Sequence, residues 1–301
     1  MANAEPFRSL SDMIAAHAVA QPEQAALIQD ERRISYGALD ALMDRVAARL
    51  QHSGVKMGDT IAVCAGTSLD YAVLFVGALR AGVAVAPIAP SSTPESIAVM
   101  VADCGAKLFF LDAEVADALR GIAIATPTHR LDALDDWLAP VGAKPTPAAI
   151  DPAMAFNIIY SSGTTGAPKG IVQSHEMRFQ HIMRAQAMGY GPAAVTLLST
   201  PLYSNTTLVS FFPTLGLGGT AVLMKKFEAG AYLDLAQRHR ATHTMLVPVQ
   251  YSRLMARSDF DSYDLSSFQM KFCTSAPFSA ALKADVLKRW PGGLVEYFGM
   301  T

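Results

Sequence analysis

The sequence predicts an α/β protein whose sheets are mainly parallel and covered by helices on both faces. Three observations carry this. Short apolar runs, such as Thr60 to Cys64 and Lys107 to Leu111, alternate with longer stretches whose apolar residues recur at helical spacing. Glycines stand just past those helical stretches, at Gly54, Gly82 and Gly105, where a helix end favours a left-handed residue. The short runs are apolar at successive positions, as strands buried on both faces of a parallel sheet must be. With 301 residues, 51% of them hydrophobic and 17% charged, the chain can bury about 75% of its extended surface. One large or two medium domains are expected.

Taken in order, a helix is expected from Ser11 to about Ala20. Leu39, Leu42, Val46 and Leu50 form an amphipathic stripe ended by Gly54. Thr60 to Cys64 reads as a strand. Tyr71, Leu74, Phe75 and Ala78 lie on a helix closed by Gly82, and Val83 to Pro87 is a second strand. A helix ending near Gly105 leads to the strand Lys107 to Leu111. Pro140, Pro145, Pro147 and Pro152 mark a connector. A strand from Met154 follows, and Ser174 is placed to cap a helix over His175 to Met188. Later strands are Val195 to Ser199, Thr220 to Leu223, Thr244 to Val247, Met270 to Cys273 and Leu294 to Tyr297. Helices near Ala229 to His239, Val249 to Ala256 and Ser279 to Trp290 separate several of them.

Composition excludes several classes. The net charge of −2 gives no broad basic surface for nucleic acid, while a local phosphate site needs only a local field. Cys64, Cys104 and Cys273 form no CxxC pair, which argues against structural zinc; Cys64 and Cys273 read as buried core thiols. Met1 to Leu10 lacks the apolar core of a signal peptide, so a cytoplasmic location is expected. Residues 185–224 carry no charged side chain, but Gly191-Pro192, Pro201, Ser204-Asn205, Pro213 and Gly216 interrupt them. A membrane helix needs about 20 continuous apolar residues. The stretch therefore reads as buried strands and a buried helix, with membrane-associated lipid binding as a minor alternative. His239 and His243 are read as structural, and His175 as packing at a helix start.

The most informative segment is Ser161-Ser162-Gly163-Thr164-Thr165-Gly166-Ala167-Pro168-Lys169-Gly170. Glycines let a backbone approach a ligand closely, successive amides form an anion-binding nest, and Lys169 adds a compact cation. That combination suits a polyphosphate. It is not a Walker A motif, because Gly170 follows Lys169 and Ile171-Val172-Gln173 continues as extended chain. The setting reads as strand, loop, strand.

This segment resembles the phosphate-binding signature of the acyl-adenylate-forming (AMP-dependent synthetase/ligase) superfamily, in its acyl- and aryl-CoA ligase branch. The resemblance continues through Ile34-Ser35-Tyr36, Gly54-Val55, Gly58-Asp59, Ala81-Gly82 ahead of Pro87 and Pro90, Pro201-Leu202-Tyr203, Ser275-Ala276-Pro277 and Tyr297-Phe298-Gly299-Met300-Thr301. It implies two stacked αβαβα layers with the active site in the crevice between them. It also implies approximate halves at 1–185 and 186–301, with the β-barrel part and the C-terminal lid domain absent. The implied reaction is attack of a carboxylate on the α-phosphorus of ATP, releasing pyrophosphate, followed by transfer of the acyl group to CoA. Mg²⁺ is implied at the phosphates.

By the same resemblance, Thr164 and Thr165 touch the outer phosphates. Ser161, Ser162, Gly163 and Gly166 shape the cradle, and Lys169 neutralises the pyrophosphate part. Ser275, Ala276 and Pro277 lie against the adenine, with Ser279 as an ordinary helix N-cap beside that role. In Glu296-Tyr297-Phe298-Gly299-Met300-Thr301, Phe298 takes the aromatic position that stacks on adenine, and Thr301 the hydroxyl position near the α-phosphate. The next expected residue, a Mg²⁺-binding Glu, lies past the chain end, so no metal ligand is assigned. Tyr203, Ser204 and Asn205 match the acyl-pocket motif, and Val247 and Gln250 are further pocket candidates. Ser204 stands where many CoA ligases have His. No Asp occurs between Tyr203 and Leu223 to bind a substrate ammonium, which favours an acid without an amino group. Because the sequence stops inside a motif, it is read as a truncated ligase, inactive alone. A non-catalytic nucleotide- or acyl-binding module is the alternative.

Overall fold

The computed structural model describes residues 5–161 and 168–299. In chain order it comprises α1 (Leu10–Ala20), β1 (Ala25–Gln29), β2 (Arg32–Ser35), α2 (Tyr36–His52), β3 (Thr60–Cys64), α3 (Leu69–Arg80), β4 (Ala84–Ile88), α4 (Pro94–Asp103), β5 (Leu108–Leu111), α5 (Ala113–Ala118), β6 (Thr128–Arg130) and α6 (Leu134–Trp137). Then come β7 (Ala155–Ser161), β8 (Lys169–Ser174), α7 (His175–Ala185), β9 (Val195–Leu198), α8 (Asn205–Gly216), β10 (Thr220–Leu223), α9 (Ala229–Arg238), β11 (His243–Leu246), α10 (Pro248–Met255), β12 (Met270–Cys273), α11 (Ala280–Arg289) and β13 (Gly293–Glu296). The expected α/β class, with two sheets flanked by helices, is what forms.

The chain divides into two compact units. One holds the residues up to Glu23 and Ser35–His181; the other holds Gln24–Ile34 and the residues from Ile182 onward. The sheet of the first unit runs β6-β5-β3-β4-β7-β8. Its pairs are parallel from β6 to β7, and β8 closes the edge antiparallel to β7. The sheet of the second unit runs β13-β12-β11-β9-β10-β1-β2 and is parallel from β13 to β1. In each sheet the chain lays down one neighbour and then crosses to the other side of its starting strand. The reversal lies between β3 and β5 in the first sheet and between β9 and β11 in the second. Outside the carboxyl ends of strands at such a reversal, open α/β sheets leave a crevice.

Local chemistry explains most element starts. Ser9, Ser35, Ser68, Thr93, Asp112 and Ser279 each accept a backbone N–H in the first turn of the helix that follows. The first helix therefore begins at Leu10, with Ser9 as its cap; Ser11 is buried and takes a hydrogen bond from Arg80 Nε at 3.0 Å. The Ser174 hydroxyl accepts from Met177 N–H at 3.2 Å, the capping role expected of it. The uncharged stretch becomes β9, α8 and β10, and α8 is mostly buried. It runs through Pro213, where a break was expected, because its apolar faces are enclosed and Leu217 N–H still bonds to the Pro213 carbonyl, and it ends at Gly216 as expected. No helix among the described residues is long and apolar enough to cross a membrane.

Three strands, β1, β2 and the short β6, lie outside the local reading. β1 and β2 come early in the chain yet belong to the second sheet, with Leu27 opposite Ala221 and Ile28 opposite Val222. The core of the second unit gathers around Trp290, with rings of Tyr232, Tyr251, Phe260 and Phe268 between 5.0 and 6.2 Å from it. Beside it, Lys271 Nζ donates to the carbonyls of Trp290, Pro291 and Gly292 at 3.1, 2.6 and 2.8 Å. Burial pulls this ammonium down to about 8, while the carbonyls at the end of α11 supply the negative potential that holds it.

Candidate functional site

In the first unit, β7 and β8 form a hairpin. Ser161 ends β7 and Lys169 begins β8, and the two are Cα partners at its mouth. Ser161 is half-buried and Lys169 exposed. The two strands expected on either side of the segment are therefore present. Ser162, Gly163, Thr164, Thr165 and Gly166 lie outside the described residues.

The base of the hairpin carries a polar knot that the sequence reading did not identify. Asn157 on β7 and Gln173 on β8 are Cα partners, and Asn157 Nδ2 donates to Gln173 Oε1 at 3.0 Å. Arg178, on α7, donates through Nε to Asn157 Oδ1 at 3.0 Å and through Nη2 to Gln173 Oε1. Its side chain is buried against the Phe156 ring, and burial lowers it to about 9. His175 packs edge-on to the same ring, 5.0 Å away. Neither of its ring nitrogens has a hydrogen-bond partner, and burial pushes it down to about 4. This agrees with its expected packing role.

In the second unit, strands β9 to β13 are parallel, so the residues after them gather along one edge. Ser199 and Thr200 follow β9, Val247 follows β11, Thr274 and Ser275 follow β12, and Tyr297 follows β13. Tyr203, Ser204 and Asn205 lead into α8 at the same edge. Thus Tyr203, Ser204, Asn205, Val247, Gln250, Ser275 and Tyr297, scattered over almost a hundred residues of sequence, are collected beside one sheet end. Hydroxyls and an amide tie this edge together. Gln250 Nε2 donates to Ser199 Oγ at 3.2 Å, across the reversal between β9 and β11, and its Oε1 accepts from Val247 N–H at 3.1 Å. Gln250 is buried and caps α10, a structural task that the sequence reading had not assigned to it. Thr207 Oγ1 lies 2.7 Å from Thr200 Oγ1 and 2.6 Å from the Pro201 carbonyl.

The loop after β12 holds Ser275, Ala276 and Pro277 exposed between strand and helix. Ser275 has φ of 77°, a left-handed backbone that costs a non-glycine residue roughly 1 kcal/mol. A 2.9 Å hydrogen bond joins its hydroxyl to that of Thr206 in the first turn of α8. Glu296 closes the same loop from the end of β13. It pairs with Lys283 and accepts from Phe278 N–H at 3.3 Å, and Lys283 holds its carboxyl below the usual range. Tyr297 stacks on Phe272 with centroids 5.6 Å apart and planes 16° from parallel. The side chain of Phe298 is fully exposed, Gly299 is the last described residue, and Met300 and Thr301 lie outside the described residues.

Two of the cysteines and one of the histidines singled out in the sequence belong to the core. Cys64 and Cys273 are free and buried, as expected. His243 is buried, with Nδ1 2.7 Å from the Thr242 hydroxyl and Nε2 2.9 Å from the Met188 carbonyl. Burial lowers it, and the carbonyl contact places its proton on Nε2. Among the described residues, no group of three His, Cys, Asp or Glu side chains is arranged to hold a metal ion. The reversal in the first sheet is occupied by an acid: Asp112 Oδ2 accepts from Gly66 N–H at 2.8 Å, and Oδ1 accepts from Val115 N–H at 3.0 Å.

A family model described as AMP-binding enzyme matches residues 14–301. 4-Coumarate–CoA ligase 5 of Oryza sativa subsp. japonica is 32% identical over 285 residues, covering 89% of this chain and 52% of that protein. Indoleacetate–CoA ligase of Aromatoleum aromaticum is 29% identical over 309 residues, covering 97% of this chain and 60% of its own length. The chain spans about half the length of the curated 4-coumarate–CoA ligases that it matches. Among solved structures, the inhibitor-bound N-terminal domain of FACL13 from Mycobacterium tuberculosis superposes with a TM-score of 0.86 at 24% identity, covering 98% of this chain and 76% of that one.

Proposed function

The chain belongs to the AMP-binding enzyme family, and from that premise we propose that its natural polypeptide activates a carboxylic acid with ATP and passes the acyl group to CoA. In the first step a carboxylate oxygen bonds to the α-phosphorus, the bond to the β-phosphate breaks, and pyrophosphate leaves. In the second the CoA thiol gives up its proton to solvent, its sulfur attacks the acyl carbonyl, and AMP leaves. Both steps bring negative charges together, so alignment and charge neutralisation are what the protein must supply. Neither step needs an enzyme nucleophile. The named relatives act on arylpropenoic and arylacetic acids, which supports an aromatic acid as the substrate class.

The observation that carries this reading is the hairpin β7–β8, which sets Ser161 and Lys169 opposite each other on either side of the glycine- and hydroxyl-rich segment. In this proposal Ser161, Thr164, Thr165 and Lys169 grip the outer phosphates. The edge of the second sheet, with Tyr203, Asn205, Val247 and Ser275, is proposed to receive the acid. Neutral hydroxyls there leave room for an anionic ligand. Mg²⁺, where bound, would offset the charge of the ATP phosphates. The test is a panel of aryl and alkyl acids offered to the natural polypeptide that carries this sequence, scored by acid-dependent exchange of pyrophosphate into ATP. Exchange with an aromatic acid is expected. Tight MgATP binding with no exchange for any acid would replace the enzyme with a nucleotide-binding module.

A further inference from the structure

Tyr160 is the residue of β7 immediately before Ser161, and its Cα partner on β8 is Gly170, immediately after Lys169. Its ring packs against the core cluster that includes Ile97, Met100, Val101 and Phe109. Its hydroxyl leaves the sheet and reaches α4, 2.5 Å from Asp103 Oδ2 and 3.1 Å from the Met100 carbonyl. One phenolic proton serves both contacts, and the shorter, charged acceptor takes it.

Two details make this contact more than packing. Asp103 is the last residue of α4, and the last turn of that helix has no basic side chain. A carboxylate at a helix C-terminus opposes the helix dipole, so Asp103 is poorly placed for helix stability and well placed to receive a donor from outside. Gly170 is the second detail. A Cβ there would stand 3.3 Å from two atoms of the Tyr160 ring and 3.0 Å from Ile158 Cγ2. Glycine therefore lets the ring lie across β8. That strand is the edge of its sheet and, among the described residues, pairs only with β7, so the mouth of the hairpin gains rigidity through β7. The Arg178 knot fixes the base of the hairpin. The Tyr160 tether is the corresponding anchor next to the mouth.

We propose that Tyr160 and Asp103, with Gly170 as the seat of the ring, are positioning residues that hold Ser161 and Lys169 in register for the ATP phosphates. The inference rests on the adenylate-forming reading and names residues that act on the phosphate grip without touching the reacting atoms. Tyr160→Phe keeps the ring packing and removes the tether.

The experiment is steady-state pyrophosphate–ATP exchange by the natural polypeptide, with thermal melting alongside. Tyr160→Phe is expected to raise KM for ATP about tenfold, the equivalent of roughly 1.4 kcal/mol, with KM for the acid unchanged. Asp103→Ala should match it. Asp103→Asn, which keeps an acceptor oxygen, should stay within about threefold of wild type, as a neutral hydrogen bond in place of a charged one implies. The double variant Tyr160→Phe/Asp103→Ala should be no worse than either single one. A purely structural contact would instead reduce the folded fraction and kcat while leaving KM for ATP alone, and that result overturns the inference, as does a wild-type KM in Tyr160→Phe. If the parent shows no exchange, the same ratio is read from the Kd for MgATP by calorimetry, and an unchanged Kd in Tyr160→Phe overturns it. A parent that neither exchanges nor binds MgATP sinks the adenylate-forming reading, and this inference falls with it.

Discussion

The two sheets share one topological device and use it differently. At the reversal between β3 and β5, the crevice of the first sheet is filled by its own anion, Asp112, which takes the Gly66 and Val115 amides. At the reversal between β9 and β11, the second sheet offers Ser199, Gln250 and, close by, Thr200 and Thr207, all neutral. Strand order produces a crevice in both. The side chains at the two mouths differ in charge, and on the proposed function only the neutral one receives an anionic ligand. In the function proposed above, the phosphate grip of the first unit lies instead at the hairpin at the sheet edge, where Lys169 is exposed.

The largest effect should come from that displaced cation. Lys169→Ala is expected to lower kcat/KM for ATP about 100-fold, the scale of losing one electrostatic contact to a developing charge; unaltered kinetics would remove Lys169 from the phosphate grip. Acid comes next. The folded pKa of His175, about 4, lies below the ordinary value of 6.5. Between these values the unfolded chain binds more protons, so stability falls as pH drops through that window, by about 3 kcal/mol in total. His175→Phe should flatten this loss in urea melts at pH 7 and pH 4.5, and amide exchange in wild type should quicken first at the base of the hairpin. A variant as acid-sensitive as its parent would put the titration elsewhere.

A smaller effect distinguishes the two crevices directly. Asp112→Ala should cost about 1 kcal/mol in chemical denaturation through loss of the cap on α5, with KM for ATP untouched. A raised KM would make the first crevice part of the ligand site and erase the contrast. The smallest effect is expected at Ser275→Gly, where relief of the positive φ and loss of the Thr206 bond nearly cancel, within about 0.5 kcal/mol. A shift well beyond that in the melting midpoint would show that one of the two terms has been misjudged.

Several positions in and around the candidate site were legible because their signal is local. The order of β7, segment and β8 follows from an apolar run, glycines and a second extended run within about twenty residues. Ser174 and Ser279 announce helices through the hydroxyl that their amides need. Gln250 and Glu296 were legible as residues of the site region, but their structural bonds to Ser199, Val247, Lys283 and Phe278 depend on partners that no nearby spacing reveals. Tyr160, Asp103, Thr206 and Arg178 went unread for the same reason. Each is an ordinary residue type whose meaning is a contact between two elements.

What the sequence by itself determined is most of the succession of helices and strands, short elements such as β1, β2 and β6 excepted, and the residues at the ends of the strands it located. Periodicity, caps and glycine punctuation act within one or two turns of chain. What only the tertiary structure decided is who neighbours whom. β1 joins β10, with the Thr220 hydroxyl bonded to the Ala25 carbonyl 195 residues away, and β11 passes to the far side of β9 to open the crevice. Such pairings follow from burying apolar faces across the whole chain at once, and no short window of sequence contains that information.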